Sequence, residues 1–154
     1  VGVVFTETER LHMIVRVRTR QIYGYYTCSE ADALGIHRAA QELFQEWAAE
    51  SEFDPRSPIT WHGDTTGDCL IPMLYRPGGA NLASDLEPGD LLIFPDYFPF
   101  GDPRDVFDVV KFLAGRGVTL FLAHTVAAFA PEALTLCLPL LDAMAEILER
   151  EEGF

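Results

Sequence analysis

Leu91, Leu92, Ile93 and Phe94 form an unbroken apolar run, and Val118 to Ala123 (VTLFLA) form a second that only Thr119 interrupts. A strand with no polar face has to be covered on both sides, which is the condition of a central strand in a parallel sheet. Between the two runs, Val106, Val109, Val110 and Leu113 recur at helical spacing from Arg104 to Ala114, and Gly115 and Gly117 end the pattern. Two fully apolar strands joined by an amphipathic helix make a crossover unit, so the chain is constrained to an α/β fold with a mainly parallel sheet.

The rest of the sequence can be placed around that unit. The segment HMIVRVRT alternates Met13, Val15 and Val17 with Ile14, Arg16 and Arg18, as a half-exposed edge strand does, and QIYGYYT reads as a second strand. From Ala31 to Glu50 the apolar positions Leu34, Leu43, Phe44 and Trp47 fit a helix. Ser29 and Asp32 have the spacing of a capping box for it, and Gly35 is a candidate break in its first turn. PITWHG is a short strand, and a short helix follows Pro77 as far as Leu86. The turn EPGD then leads into the LLIF strand. The expectation is one three-layer α/β domain over residues 1–154, its sheet flanked by helices, with an extra strand added in residues 1–20.

A long helix is expected over 131–152, PEALTLCLPLLDAMAEILEREE. Leu134, Leu138, Leu141, Ala145 and Leu148 form one apolar stripe, and Leu136, Leu140, Met144 and Ile147 form another beside it. One sheet face cannot cover so wide an arc, so this helix is expected to form a homodimer interface. Pro139 is expected to kink the helix or to mark its start.

The net charge of −13 repels a phosphate backbone over most of the surface and disfavours nucleic-acid binding. No apolar run is long enough to span a bilayer, and VGVVFTETERL lacks the basic and apolar regions of a secretory signal. The expectation is a cytoplasmic protein without membrane contact. Cys28, Cys69 and Cys137 are far apart and odd in number, which suggests small buried hydrophobes and neither a disulfide framework nor a zinc site. No metal or other cofactor is expected.

Five stretches, taken in order across Ile22 to Glu151, resemble the catalytic domain of the serine recombinases, the resolvase and invertase family. They are the strand Tyr25, Tyr26, Thr27, Cys28, Ser29, similar to Y-x-R-x-S, and the loop Asp64 to Gly67 closed by Arg76, Pro77, Gly78. Next come Leu82 and Leu86 before Pro88, Gly89, Asp90 and the LLIF strand, and then Arg116, Gly117, Val118 before the following strand. The fifth is MAEILEREE, from Met144 to Glu152, similar to an A-E-x-E-R-E signature on the family's interface helix.

The resemblance implies a resolvase-like fold and a serine nucleophile for DNA strand cleavage, with arginines neutralising the scissile phosphate. It puts Ser29 at the nucleophile position and Arg76 at that of a phosphate-binding arginine. Other expected arginines are replaced: Thr27 stands two residues before the serine, and L-D-R-L-G-R becomes Tyr97, Phe98, Pro99, Phe100, Gly101, Asp102. With Thr27, Pro99 and Asp102 in those places the leading expectation is a catalytically degenerate domain, kept as an assembly or regulatory module. Ser29 is then chiefly a helix cap, and Arg76 an ion-pair partner for acids such as Asp64 or Asp68. DNA remains a partner by resemblance alone.

Two enzymatic alternatives accompany that expectation. One is an active site-specific recombinase using Ser29. The other is a metal-dependent phosphohydrolase in which the loop aspartates Asp64, Asp68, Asp96 and Asp102 gather a cation. Of His12, His37, His62 and His124, none has metal-ligand spacing, and His62, after Trp61, and His124, at a strand end, are the two worth checking in a cleft.

Overall fold

The computed structural model describes residues 20–28, 30–64, 71–95 and 102–151. They form a five-stranded sheet, β1 (Ile22–Tyr26), β2 (Ile59–Gly63), β3 (Leu91–Phe94), β4 (Thr119–Leu122) and β5 (Ala127–Phe129), with helices α1 (Glu30–Ala48), α2 (Pro77–Asp85), α3 (Pro103–Arg116) and α4 (Pro131–Glu151). The strand order is β2-β1-β3-β4-β5. All pairings are parallel except β4 with β5, where Leu120 faces Phe129 and Leu122 faces Ala127. The expected α/β class and mainly parallel sheet are present, and the added strand of residues 1–20 lies outside the described residues apart from Arg20, which is not in a strand.

The period of two along each strand divides the core. Tyr23, Tyr25, Leu92, Phe94 and Leu120 point to one face, where Leu82 of α2 and Val109, Val110 and Leu113 of α3 cover them. Ile22, Leu91, Ile93 and Phe121 point to the other, against Ala40, Phe44 and Ala48 of α1. LLIF is buried at every position because both faces have cover. The layers are therefore α1, the sheet, and α2 with α3, while Leu134, Leu138 and Leu141 of α4 pack onto the second helical layer.

Several boundaries differ from expectation for local reasons. Leu34 is 69% exposed, and α1 is anchored by Phe44 and, one turn to either side, by Ala40 and Ala48, whose small side chains let the helix lie close to the sheet. α1 runs through Gly35 and α3 through Gly115; a glycine weakens a helix interior without having to end it. Gly117 does end α3, in the left-handed region at φ 76° that favours glycine. α4 begins at Pro131 and continues past Pro139, so Pro139 is not its start. The strand β5 was not expected: its three residues, AAF, carry too short a pattern to read.

The PGD turn is fixed by Asp90, which is fully buried. Its carboxylate accepts from the Gln21 amide at 3.0 Å and the Glu87 amide at 2.9 Å, joining the entry of β1 to that of β3.

Candidate functional site

The site lies where β1 and β2 end and α2 begins, outside the carboxyl ends of parallel strands, where open α/β sheets place their ligands. Asp64 follows the last residue of β2, and its amide continues the ladder by donating to the Tyr26 carbonyl at 3.2 Å. Its side chain then reaches the start of α2, where the Gly78 amide donates to Oδ1 at 2.8 Å and the Gly79 amide to Oδ2 at 3.2 Å. The first turn of a helix has amides without partners inside the helix, and here a carboxylate from another element satisfies two of them. Arg76, at the N-cap position, provides no side-chain cap, and Pro77 occupies the first turn.

The glycines of R-P-G-G are required by this closeness. A Cβ on Gly78 would meet the carbonyl of Gly63, and one on Gly79 the carbonyl of Met73. The helix start is thus pressed between the end of β2 and the short 3-10 turn Met73–Tyr75.

Tyr25 joins the carboxylate to the arginine. Its hydroxyl donates to Asp64 Oδ2 at 2.6 Å and accepts from Arg76 Nη1 at 3.4 Å. Burial, and next the hydrogen bond to Asp64, push the phenol well above its ordinary range, so Tyr25 is a neutral donor. Arg76 is only 3% exposed and also donates from Nε to the Ile71 carbonyl at 2.8 Å. Asp105, on the first turn of α3, accepts from the Met73 amide through both oxygens, at 3.1 and 3.3 Å. Burial pushes Asp105 upward, and the Met73 amide and the Arg76 charge oppose that shift.

These groups have the makings of an anion site, namely a helix N-terminus, a guanidinium and a phenol. The Asp64 carboxylate already takes the two helix amides and the phenol. For a phosphate to reach these donors in this arrangement, the carboxylate and the buried arginine would both have to move.

The other sequence-derived candidates divide as follows. Ser29, Asp68, Asp96 and Pro99 lie outside the described residues, as do His12, Cys69 and the aromatic turn Tyr97, Phe98, Phe100. Thr27 is exposed just after β1. Asp102 caps α3, its Oδ1 accepting from the Arg104 amide at 2.9 Å. Asp64 and Asp102 are thus both occupied at helix starts, and among the described residues no group of three or more His, Cys, Asp or Glu is placed to hold a metal ion.

His62 Nε2 lies 3.2 Å from Asp85 Oδ2, close enough for attraction but too poorly aligned for a hydrogen bond. His124 is exposed. Cys28 and Cys137 are half-buried, less enclosed than expected, and burial and then nearby Asp32 push the Cys28 thiol upward.

Sequence reasoning singled out Arg76 and Asp64 but not the phenol that links them. The available signal was that Tyr23 and Tyr25, two positions apart, share one face of their strand. Asp105 was missed because an acid in the first turn of a helix is ordinary by sequence, and only burial distinguishes it.

No protein-family model matches the chain, and no curated protein matches it.

Proposed function

We propose that this chain is a serine recombinase-like domain that no longer recombines DNA and serves as an assembly or regulatory module, with a second copy of itself as a partner. The observation that carries the reading is the internal saturation of the site. Arg76, the arginine that the resemblance assigns to phosphate, is buried against Tyr25 and the Ile71 carbonyl, and Asp64 occupies the amides of α2.

The motif pieces support the resemblance by the kind of element each falls on. Tyr25 and Tyr26 are in a strand, Arg76 and Pro77 open a helix, Pro88 to Asp90 precede a buried strand, and Arg116 and Gly117 close a helix before the next strand. Asp102 supports the loss of catalysis, since it is a helix cap where the resemblance asks for an arginine. Removing one preorganised donor from a charge-stabilising site costs about 10² to 10³ in rate. The changes at Thr27, Pro99 and Asp102 together then leave negligible strand cleavage.

The test is incubation of purified protein with supercoiled plasmid and short duplexes at low salt, which favours phosphate binding. Wild type and Ser29→Ala should be alike, with no nicking and no covalent protein–DNA adduct. An adduct formed by wild type and absent in Ser29→Ala would establish an active recombinase in place of the module.

A further inference from the structure

A cavity of about 350 Å³ opens between the carboxyl end of α1 and the turn from β4 to β5, lined by Glu46, Trp47, Glu50 and Val126. Trp47 is half-buried, its ring 4.9 Å from that of Phe121 and 5.8 Å from that of Phe53, while Glu46 and Glu50 are exposed one helical turn apart. The last turn of α1 holds no basic residue, and this end of a helix is the negative end of its dipole. Among the described residues Arg20, Arg56 and Arg104 pair with other acids, and neither Glu46 nor Glu50 has an ion-pair partner. Two like charges at this spacing repel, a cost that a cation between them removes. The lining also selects the kind of cation, because a planar guanidinium can lie on an indole while it donates to carboxylates at its edge.

The molecule makes such a contact beside the cavity. The Arg20 guanidinium lies over the Phe53 ring at 5.2 Å, and its Nη1 pairs with Glu52 at 3.3 Å. Phe53 in turn packs on Trp47, so the described chain begins one ring away from the cavity. Residues 1–19 lie outside the described residues and include Arg10, Arg16 and Arg18. Arg18 and Arg16 are two and four positions before Arg20, within about 7 and 14 Å of it along an extended chain. In an extended chain they fall on one side, about 6.6 Å apart, and one helical turn separates Glu46 from Glu50 by about 6 Å along the axis.

From this match of charge, spacing and reach, we propose that the cavity takes the guanidinium groups of Arg16 and Arg18 of the same chain, paired with Glu46 and Glu50 beside the Trp47 ring. The amino-terminal segment is then a strap across the carboxyl end of α1.

The experiment uses the full chain with Trp61→Phe, which leaves Trp47 as its single tryptophan, and reads the quenching of Trp47 by acrylamide, an uncharged probe. Far-UV circular dichroism checks that each variant is folded. At low salt, Arg16→Glu with Arg18→Glu should lose protection of the indole, and so should Glu46→Arg with Glu50→Arg. Combining all four should recover it, since each charge again meets its opposite. Arg10→Glu should leave protection as it was, and high salt should bring the parent protein toward the level of the variants. Quenching that is the same with and without Arg16 and Arg18, or a loss in Arg10→Glu as large as theirs, would overturn the proposal. Protection that falls on dilution of the protein would give the cavity to the arginines of another copy and overturn the same-chain contact. Protection gained only on adding free arginine would make the cavity a site for an external cation and overturn it likewise.

Discussion

The Tyr25 hydroxyl and the Asp64 carboxylate lie 2.6 Å apart at the adjoining ends of β1 and β2, in a region where Arg76 and the start of α2 also converge. Asp64 has three roles at once: strand terminus, helix cap and acceptor of the phenol. Replacing it with Ala should leave the Gly78 and Gly79 amides and the Tyr25 hydroxyl without their acceptor. A lost cap and an orphaned buried donor each cost about 1–2 kcal/mol, so urea unfolding should show a loss of at least about 2 kcal/mol. Tyr25→Phe should cost less, about 1–2 kcal/mol.

The glycines offer a contrast between two sites. Gly79→Ala should destabilise strongly, since the new Cβ meets the backbone carbonyl of Met73. At Gly35 nothing lies within 4 Å of the position a Cβ would take, and the residue is inside α1. Gly35→Ala should therefore raise stability by about 0.5–1 kcal/mol. Thermal or urea unfolding of the two variants should move in opposite directions.

A pH dependence follows from His37, which stacks on Trp61 at 4.1 Å and meets the edge of Tyr26 at 4.6 Å. Its Nε2 is buried with no hydrogen-bond partner among the described residues, and burial lowers its pKa below the usual 6.5. The unfolded chain takes up that proton near pH 6.5 while the folded chain does not, so His37 makes the protein less stable as pH falls below 6.5. The stability difference between wild type and His37→Phe should widen from pH 7.5 to pH 5.5 in favour of the phenylalanine. A constant difference would rule this role out.

Arg104 ties α3 to α4, donating to Asp142 at 2.8 Å and Glu149 at 3.0 Å. The pairs are exposed enough to be screened, so Arg104→Ala should weaken α4 docking at low salt and have little effect in high salt. Hydrogen exchange in α4 at the two salt concentrations would measure this.

The fold was legible wherever a pattern was long or chemically unmixed. Leu91 to Phe94 could only be a covered strand, and Pro103 to Arg116 has both a proline start and a glycine stop. α1 was harder, because its contact face is built on Ala40 and Ala48, residues that do not stand out in a hydrophobic pattern. The site was half legible. An R-P-G-G stretch signals a tight helix start, but the cap comes from Asp64, fourteen residues before the Gly78 amide it accepts. Only the parallel register of β1 and β2, which sets Tyr26 beside Gly63, brings that carboxylate to the Tyr25 hydroxyl.

One short reversal sets the direction of α4. Among the described strands β5, three residues long, is the one that runs against the others, and α4, twenty-one residues long, follows its end. The helix therefore climbs back along the domain, and its second half reaches Arg104 at the start of α3. Among the described residues the polarity of the longest helix is set by the shortest strand, and a pull on the second half of α4 is delivered through Arg104 to the first turn of α3, where Asp105 holds the Met73 amide.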